Sequence, residues 1–401
     1  MHATTTLSLP ADGDALWSPP SAQSVVLMDW LTRLIVLGGA CITFGILWDI
    51  SWHATIGRDT FWTPAHMLIY IGGAVSGILA GVLALMATFV RPTEMRGVTV
   101  GLLGARAPLG AWVTIWGALA MLTSGPLDDW WHNTYGLDVK ILSPPHALLA
   151  MGMYGVVTGA HLLASARRNR SLASAGPAQG GTLVVISNGI QLALSSILLT
   201  ELSWPNLQHT STFAQASAAM YPGFLVAAAC QKPVSWAATR MALIYLLVQG
   251  VMVWILPLWA AEPKLAPIYN PVTHMAPPAF PLLLFIPALA LDGVFYVFRH
   301  RAHWGWHIPR VVLSATLFLA LFLSVQWYFS AFLISRAADN WFFAGHGGFF
   351  GYMSDMEFAG RFWRLQDRPL TTTAVGWAWV IALVSSLVGL GTGEFLKRIQ
   401  R

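Results

Sequence analysis

Charged residues are scarce: only 10% of the 401 residues are Asp, Glu, Lys or Arg, against about 25% in an ordinary soluble domain. That excludes a conventional soluble enzyme. Cysteine is nearly absent. Cys41 and Cys230 each sit inside an apolar run and cannot build a disulfide framework or a thiolate metal cluster, so a metal would have to be held by His and carboxylate. The 14 Met are scattered and form no Met-x-Met ladder, which argues against a copper-import channel lined with soft ligands. Residues 1–25 have neither a basic start nor an apolar core and read as a polar tail rather than a signal peptide. The net charge is +5, but the basic residues form no stripe and no aromatic platform accompanies them, so nucleic acid is not a partner.

Hydrophobic residues make up 56% of the chain, with 20 Trp and 20 Phe. Disorder is thereby excluded, and the expected surroundings are a lipid bilayer. With about 20 apolar residues per crossing, the sequence offers ten candidate spans, at 28–48, 66–90, 108–127, 146–165, 182–201, 213–230, 236–258, 279–298, 309–335 and 371–391. The predicted fold class is an all-α, multi-pass membrane protein built from repeated helix-loop-helix hairpins. Its organisation reads as a polar tail (1–25), a first transmembrane half (26–181) and a second half (182–401) with an outer loop at 336–370.

With the amino terminus inside, the inner loops collect Arg91, Arg96, Arg106, Arg167, Arg168, Arg170, Lys232, Arg240, Arg299, Arg301 and Arg310, and the carboxyl-terminal tail adds Lys397, Arg398 and Arg401. The short outer loops hold only Arg58, Lys140 and Lys264. This asymmetry follows the positive-inside rule. It predicts cytoplasmic termini in a bacterial inner membrane, with the loops after Asp49 and Asp128 facing the periplasm.

Self-comparison yields a duplicated motif. Residues 49–66 read DISWHATIGRDTFWTPAH, and residues 128–146 read DDWWHNTYGLDVKILSPPH. Both fit D-x-x-W-H-x-T-x-G-x-D followed by Pro and a second His. Asp49 and His53, or Asp128 and His132, stand four apart and share a helix face. The second His (His66 or His146) opens the returning helix beside proline, which suits a first turn. Two imidazoles and a carboxylate thus converge at each hairpin mouth, a set with open positions suited to copper or iron and usable by zinc. Interface solvation by Trp and His would demand no such fixed spacing. Weaker echoes occur at Glu201 to Pro205 and at Trp259 to His274, two degenerate hairpins with incomplete polar sets.

The first copy closely resembles the C subunit of the copper membrane monooxygenases, the particulate methane and ammonia monooxygenases. That family carries D-x3-H-x12-H in a D-x-x-W-H-x4-R-D-T-x-F-T-x-x-H setting. Here Asp49, Trp52, His53, Arg58, Asp59, Thr60, Thr63 and His66 match in order, with Phe61 one place before the family's aromatic position and Trp62 occupying it. The resemblance implies that Asp49, His53 and His66 bind copper and activate dioxygen. The second copy resembles the same subunit's N-x3-H-x13-H site, with Asp128 in place of Asn and His132 and His146 at the same interval. A carboxylate there would hold a divalent metal more firmly than an amide. Trp52, Arg58 and Asp59 in the first copy, and Trp131 and Asp138 in the second, are candidates to orient the ligands through hydrogen bonds.

The resemblance covers about residues 25–165. It implies monooxygenase-like oxidation of a small apolar or gaseous substrate, with electrons from a quinol or another donor. The chain has no soluble cupredoxin-like domain, so a separate periplasmic partner of that kind and further membrane subunits would supply those parts, and a homo-oligomer is an alternative assembly. Two other readings fit the metal motif: a non-catalytic copper-delivery or assembly subunit, and a zinc-dependent membrane hydrolase with Ser51 and Ser143 nearby. Elsewhere, Asp292, Asn188 and Gln191 within spans are read first as interhelical hydrogen-bonding groups, Asp292 with Arg240 or Gln249. His300, His303 and His307 read as a basic aromatic loop on headgroups.

Overall fold

A computed structural model describes residues 21–57, 60–136, 143–173, 180–262, 273–301, 303–344, 362 and 369–401. Eleven α-helices lie among them. These are α1 (Ala22–Thr55), α2 (Pro64–Leu85, continuing as a π-turn over Met86–Val90), α3 (Pro92–Met95), α4 (Leu109–Tyr135), α5 (Pro144–Ala173), α6 (Gly181–Ser196), α7 (Ser211–Gln231), α8 (Ala237–Ile255), α9 (Phe285–Val297), α10 (His307–Leu333) and α11 (Thr372–Arg398). A short antiparallel ribbon of β1 (Val100–Leu102) and β2 (Ala105–Ala107) links α3 to α4.

Eight of these helical segments are long and apolar enough to cross a membrane, so the chain is an all-α, multi-pass protein. The other two of the ten expected spans are helical but fall short. Although α4 is 27 residues long, its Trp, Thr, Ser and Gly residues make it less apolar. The span expected at 279–298 is helical only over the 13 residues of α9, about 20 Å at 1.5 Å per residue against a hydrocarbon thickness of about 30 Å. Pro277, Pro278 and Pro281 explain the late start, since each lacks a backbone N–H and disfavours helix in the residue before it.

Helix pairs pack through small residues, as expected where lipid offers no hydrophobic contrast. The α4–α5 pair that carries the second motif is one such close approach: a Cβ on Gly117 would stand 2.6 Å from the Val156 nitrogen. One apolar core gathers Ile35, Ile42, Ile69, Leu83 and Val156 from α1, α2 and α5. A second gathers Phe213, Tyr221, Met241, Leu291, Phe318 and Phe322 from α7 to α10, and Leu47 and Ile56 of α1 also belong to it. Helix α1 therefore joins the two halves.

Many of the basic residues assigned to inner loops meet at the end of the bundle away from the motifs. Arg167 pairs with Asp29, Arg168 Nη2 donates to the Lys232 carbonyl at 2.9 Å, and Arg170 Nη1 to the Gln400 carbonyl at 2.7 Å. Arg91 and Glu94 bind the start of α1 through Ser21 and Ser24. Asp292 caps α8, accepting from Ala238 N (3.2 Å), Thr239 N (2.8 Å) and Thr239 Oγ1 (2.7 Å), in place of the bond expected with Arg240 or Gln249. Gln249 instead donates to Ser196 Oγ at 3.0 Å. The 299–310 loop is held by its own contacts, with Arg301 over the Trp306 ring and Arg310 donating to the Phe298 and Arg301 carbonyls.

Two candidate metal centres

The first centre forms where α1 ends and α2 begins. Asp49 and His53 lie one turn apart near the end of α1, and His66 stands in the first turn of α2, whose first residue is Pro64. His66 Nε2 is 3.0 Å from Asp49 Oδ1, and His53 Nε2 is 3.8 Å from Asp49 Oδ2. The second centre repeats this across α4 and α5, with His132 Nε2 at 3.5 Å and His146 Nε2 at 3.6 Å from Asp128 Oδ1. In each trio one ligand atom per residue lies within 4.8 Å of the other two. Ligands around a metal at roughly 2.1 Å stand about 3–4 Å apart, so a small contraction would close either trio on an ion.

Backbone carbonyls set the imidazole tautomers. His53 Nδ1 lies 3.3 Å from Gly57 O, and His132 Nδ1 lies 3.1 Å from Gly136 O. His66 Nδ1 lies 3.0 Å from Thr60 O. Because a carbonyl only accepts, each of these Nδ1 atoms carries the hydrogen and each Nε2 presents a lone pair. This is the outer support typical of metal-binding histidines. It depends on Gly57 (φ +91°) and Gly136 (φ +84°), whose left-handed φ turns the chain so that the carbonyl four residues on faces the ring. The paired glycines of the motif were legible as turns, but their carbonyls as histidine acceptors were not.

The donor sets fit a cation. Asp49 Oδ1 and Asp128 Oδ1 are buried and accept no hydrogen bond, while imidazole lone pairs point toward them. Converging acceptors repel one another until a positive charge, a metal ion or a bound proton, sits between them. Among the described residues these are the two groups of three His, Cys, Asp or Glu side chains that could hold a metal. Among the described residues the degenerate hairpins add none.

The environments differ. Side-chain exposure is 13% for Asp49 and 20% for His66, against 34% for Asp128 and 38% for His146, whereas His53 at 48% is more open than His132 at 29%. Three contacts from the second half of the chain clamp the first centre. Ser51 Oγ donates to Ala276 O at 2.6 Å, Ala276 N donates to Thr55 Oγ1 at 2.8 Å, and Trp48 stacks on Trp259 with ring centres 6.3 Å apart. Ser51 is therefore structural and does not serve as a nucleophile. Ser143 lies 3.5 Å from the His146 nitrogen, as an N-terminal cap would.

Aromatic rings wall the first centre. Tyr70, one turn beyond His66, has its ring centre 5.9 Å from the imidazole and 4.9 Å from Phe61. Tyr70 carried no sequence signal, since it falls outside the repeated motif. Of the residues expected to orient ligands, Trp52 packs on the second core and Trp131 packs on Tyr135 at 4.5 Å. Arg58, Asp59 and Asp138 lie outside the described residues. The aromatic segment at 336–370 is described only in part, where the Trp254 indole donates to the Phe342 carbonyl and the Trp341 indole donates to the Trp254 carbonyl. Models of known protein families, curated proteins and solved structures give no match to this chain.

Proposed function

We propose that this chain is a copper-binding integral membrane oxidoreductase that oxidises a small apolar or gaseous substrate with dioxygen, in the manner of a monooxygenase, at Asp49, His53 and His66. The observation that carries the reading is the convergence of two lone-pair imidazole nitrogens and one buried carboxylate, with both rings held by backbone carbonyls. A bound copper ion would supply one-electron chemistry toward dioxygen at such a centre. Asp49 offsets its charge, the Gly57 and Thr60 carbonyls orient the rings, and Phe61 and Tyr70 line an apolar approach. A substrate that concentrates in lipid would reach this wall directly.

We assign the second centre, at Asp128, His132 and His146, as a second copper site. Its more exposed carboxylate and second imidazole suit metal loading. Electrons come from a quinol or another donor, and a cupredoxin-like partner or additional membrane subunits complete the assembly. The centres face the periplasm, with both termini in the cytoplasm.

Elemental analysis of protein extracted gently with native lipids, after expression in copper-replete medium, tests the reading. Copper is expected, and His53→Ala and His132→Ala should each remove part of it. Zinc without copper rejects the oxidase reading in favour of a hydrolase. Stoichiometric copper without oxygen uptake across reductants and small hydrocarbons or amines assigns the chain to copper delivery or assembly.

A further inference from the structure

We infer that the interface of α5 with α6 is a proton path across the membrane, with His161 as its central relay. Tyr154, Thr158, His161, Ser165 and Asn169 recur on α5 at intervals of three or four and share one face. Helix α6 faces them with Ser187, Gln191 and Ser195, one turn apart.

The two rows meet in rungs. Ser195 Oγ is 3.2 Å from Tyr154 OH, Gln191 Nε2 donates to Thr158 Oγ1 at 2.9 Å, and His161 Nδ1 is 3.0 Å from Ser187 Oγ. Gln231, at the end of α7, donates from Nε2 to Ser165 Oγ at 2.9 Å, and Asn169 Nδ2 donates to the Leu396 and Ile399 carbonyls, each at 2.8 Å. From Tyr154 to Asn169 the rise is about 22 Å, most of an apolar thickness of about 30 Å. His146 of the second centre lies two turns beyond Tyr154 on the same helix.

Two details separate this seam from ordinary interhelical bonding, which pairs its buried polar groups. Ser187 Oγ donates to Val184 O at 2.9 Å, so it accepts from His161 Nδ1–H and leaves Nε2 as a lone pair. That Nε2 is buried without a hydrogen-bond partner, and so is Gln231 Oε1. Both acceptors call for donors, and in a polar seam the donors are internal waters. Rungs one helical turn apart are within the reach of a bridging water.

The cargo is a proton rather than a metal cation, because the seam holds hydroxyls, amides and an imidazole but no carboxylate. Helix α6 has no ionisable side chain, and α4 has none from Leu109 to Leu127. Cys41 of α1 turns toward Gly72 of α2. The ionisable neighbours are Tyr154 near the metal end, and Asp29, Arg33, Arg167, Arg168, Arg170, Glu394 and Lys397 at the far end, where Arg168 Nη1 donates to Asn169 Oδ1 at 3.4 Å. His161 takes a proton from water at Nε2 and releases the Nδ1 proton to Ser187 Oγ, while that hydroxyl turns from the Val184 carbonyl and passes its own proton to the next seam water. Rotation of the ring resets it. Buried ionisable groups in membrane spans commonly mark such relays.

The test is proton flux into liposomes containing the full chain and an enclosed pH dye, driven by a valinomycin-imposed potassium potential. It is run on protein as purified and after chelation, so failure of the copper reading leaves it intact. Wild-type vesicles should acidify faster than protein-free vesicles. His161→Gln, which keeps a hydrogen-bonding side chain but cannot relay, should fall to the protein-free rate, and Ser187→Ala should slow the flux. A wild-type rate equal to that of empty vesicles overturns the proposal. So does undiminished flux through His161→Gln of unchanged helix content.

Discussion

Replacing Gly136 by Ala tests whether a backbone carbonyl holds the second centre together. Gly136 sits at φ +84°, ψ −172°, a region essentially confined to glycine, where another residue costs about 1–3 kcal/mol. A Cβ there would meet nothing within 4 Å, so the penalty is conformational rather than steric. If the chain relaxes to negative φ, the carbonyl swings off His132 Nδ1, now 3.1 Å away, and the ring loses the bond that fixes its tautomer. Loss of such outer support lowers metal affinity about 10–100-fold, which is about 1.4–2.7 kcal/mol. The measurement is a chelator-competition titration with copper in a His53→Ala background, where the second centre alone binds. Asn should not rescue it, because the left-handed conformation that Asn tolerates has ψ near +45°. Affinity of Gly136→Ala within about twofold of its parent, in protein of unchanged helix content, would refute the carbonyl's role.

The two carboxylates should not be equally important: Asp49→Asn is expected to lower first-centre affinity more than Asp128→Asn lowers that of the second, because charge attraction grows as water is excluded. Metal titration of each single variant decides. Asp292→Ala strips two backbone N–H groups and a hydroxyl of their acceptor at the start of α8. It should cost about 1–3 kcal/mol, seen as a lower unfolding midpoint in detergent, with Asn recovering part of it. His209, between α6 and α7, is stacked between Trp327 and Phe362 at 3.5 and 3.6 Å, and burial lowers its pKa from the ordinary 6.5. The folded state therefore binds this proton less well than the unfolded chain does, so its stability contribution is whole above about pH 6.5 and declines on acidification toward the lowered value. His209→Phe should show a smaller fall in unfolding midpoint between pH 7.5 and pH 5 than wild type.

Much of the metal geometry was legible because it depends on local periodicity. A four-residue step from Asp to His within a helix brings them to one face, and proline beside the second His marks the returning helix, so six candidate ligands that converge as two trios could be named from spacing. The outer support was less legible: the acceptors of His53, His66 and His132 are carbonyls of Gly57, Thr60 and Gly136, and a carbonyl leaves no mark in composition. Eight of the ten expected spans stand as long apolar helices, and apolarity and helix formation part company in the proline-interrupted stretch before α9. Asp292 was read as a side-chain partner because sequence does not show which helix end lies beside it. Gln191 was visible as a polar intrusion, but the row it faces on α5 emerges only once the two helices are paired.

Duplication supplies the same donors twice, and what differs is the company each centre keeps. The connections after α6 and α8 repeat parts of the motif without a complete ligand set, and they pack where the first centre is built: Trp204 and Ala276 bury against Ala54, and Trp259 covers Trp48. Crosslinks from Ser51 and Thr55 to residue 276 fix the last turns of α1, so Asp49 and His53 are presented by a helix end that cannot fray. The second centre stands on the close α4–α5 pair, with Pro126 inside the helix two residues before Asp128 and more of its carboxylate and second imidazole open to water. A rigid, half-dry trio suits chemistry that must exclude solvent, whereas an open trio suits exchange of the ion. The second half of the chain, which adds no group of three such ligands among the described residues, thereby gives two like sets of residues different work.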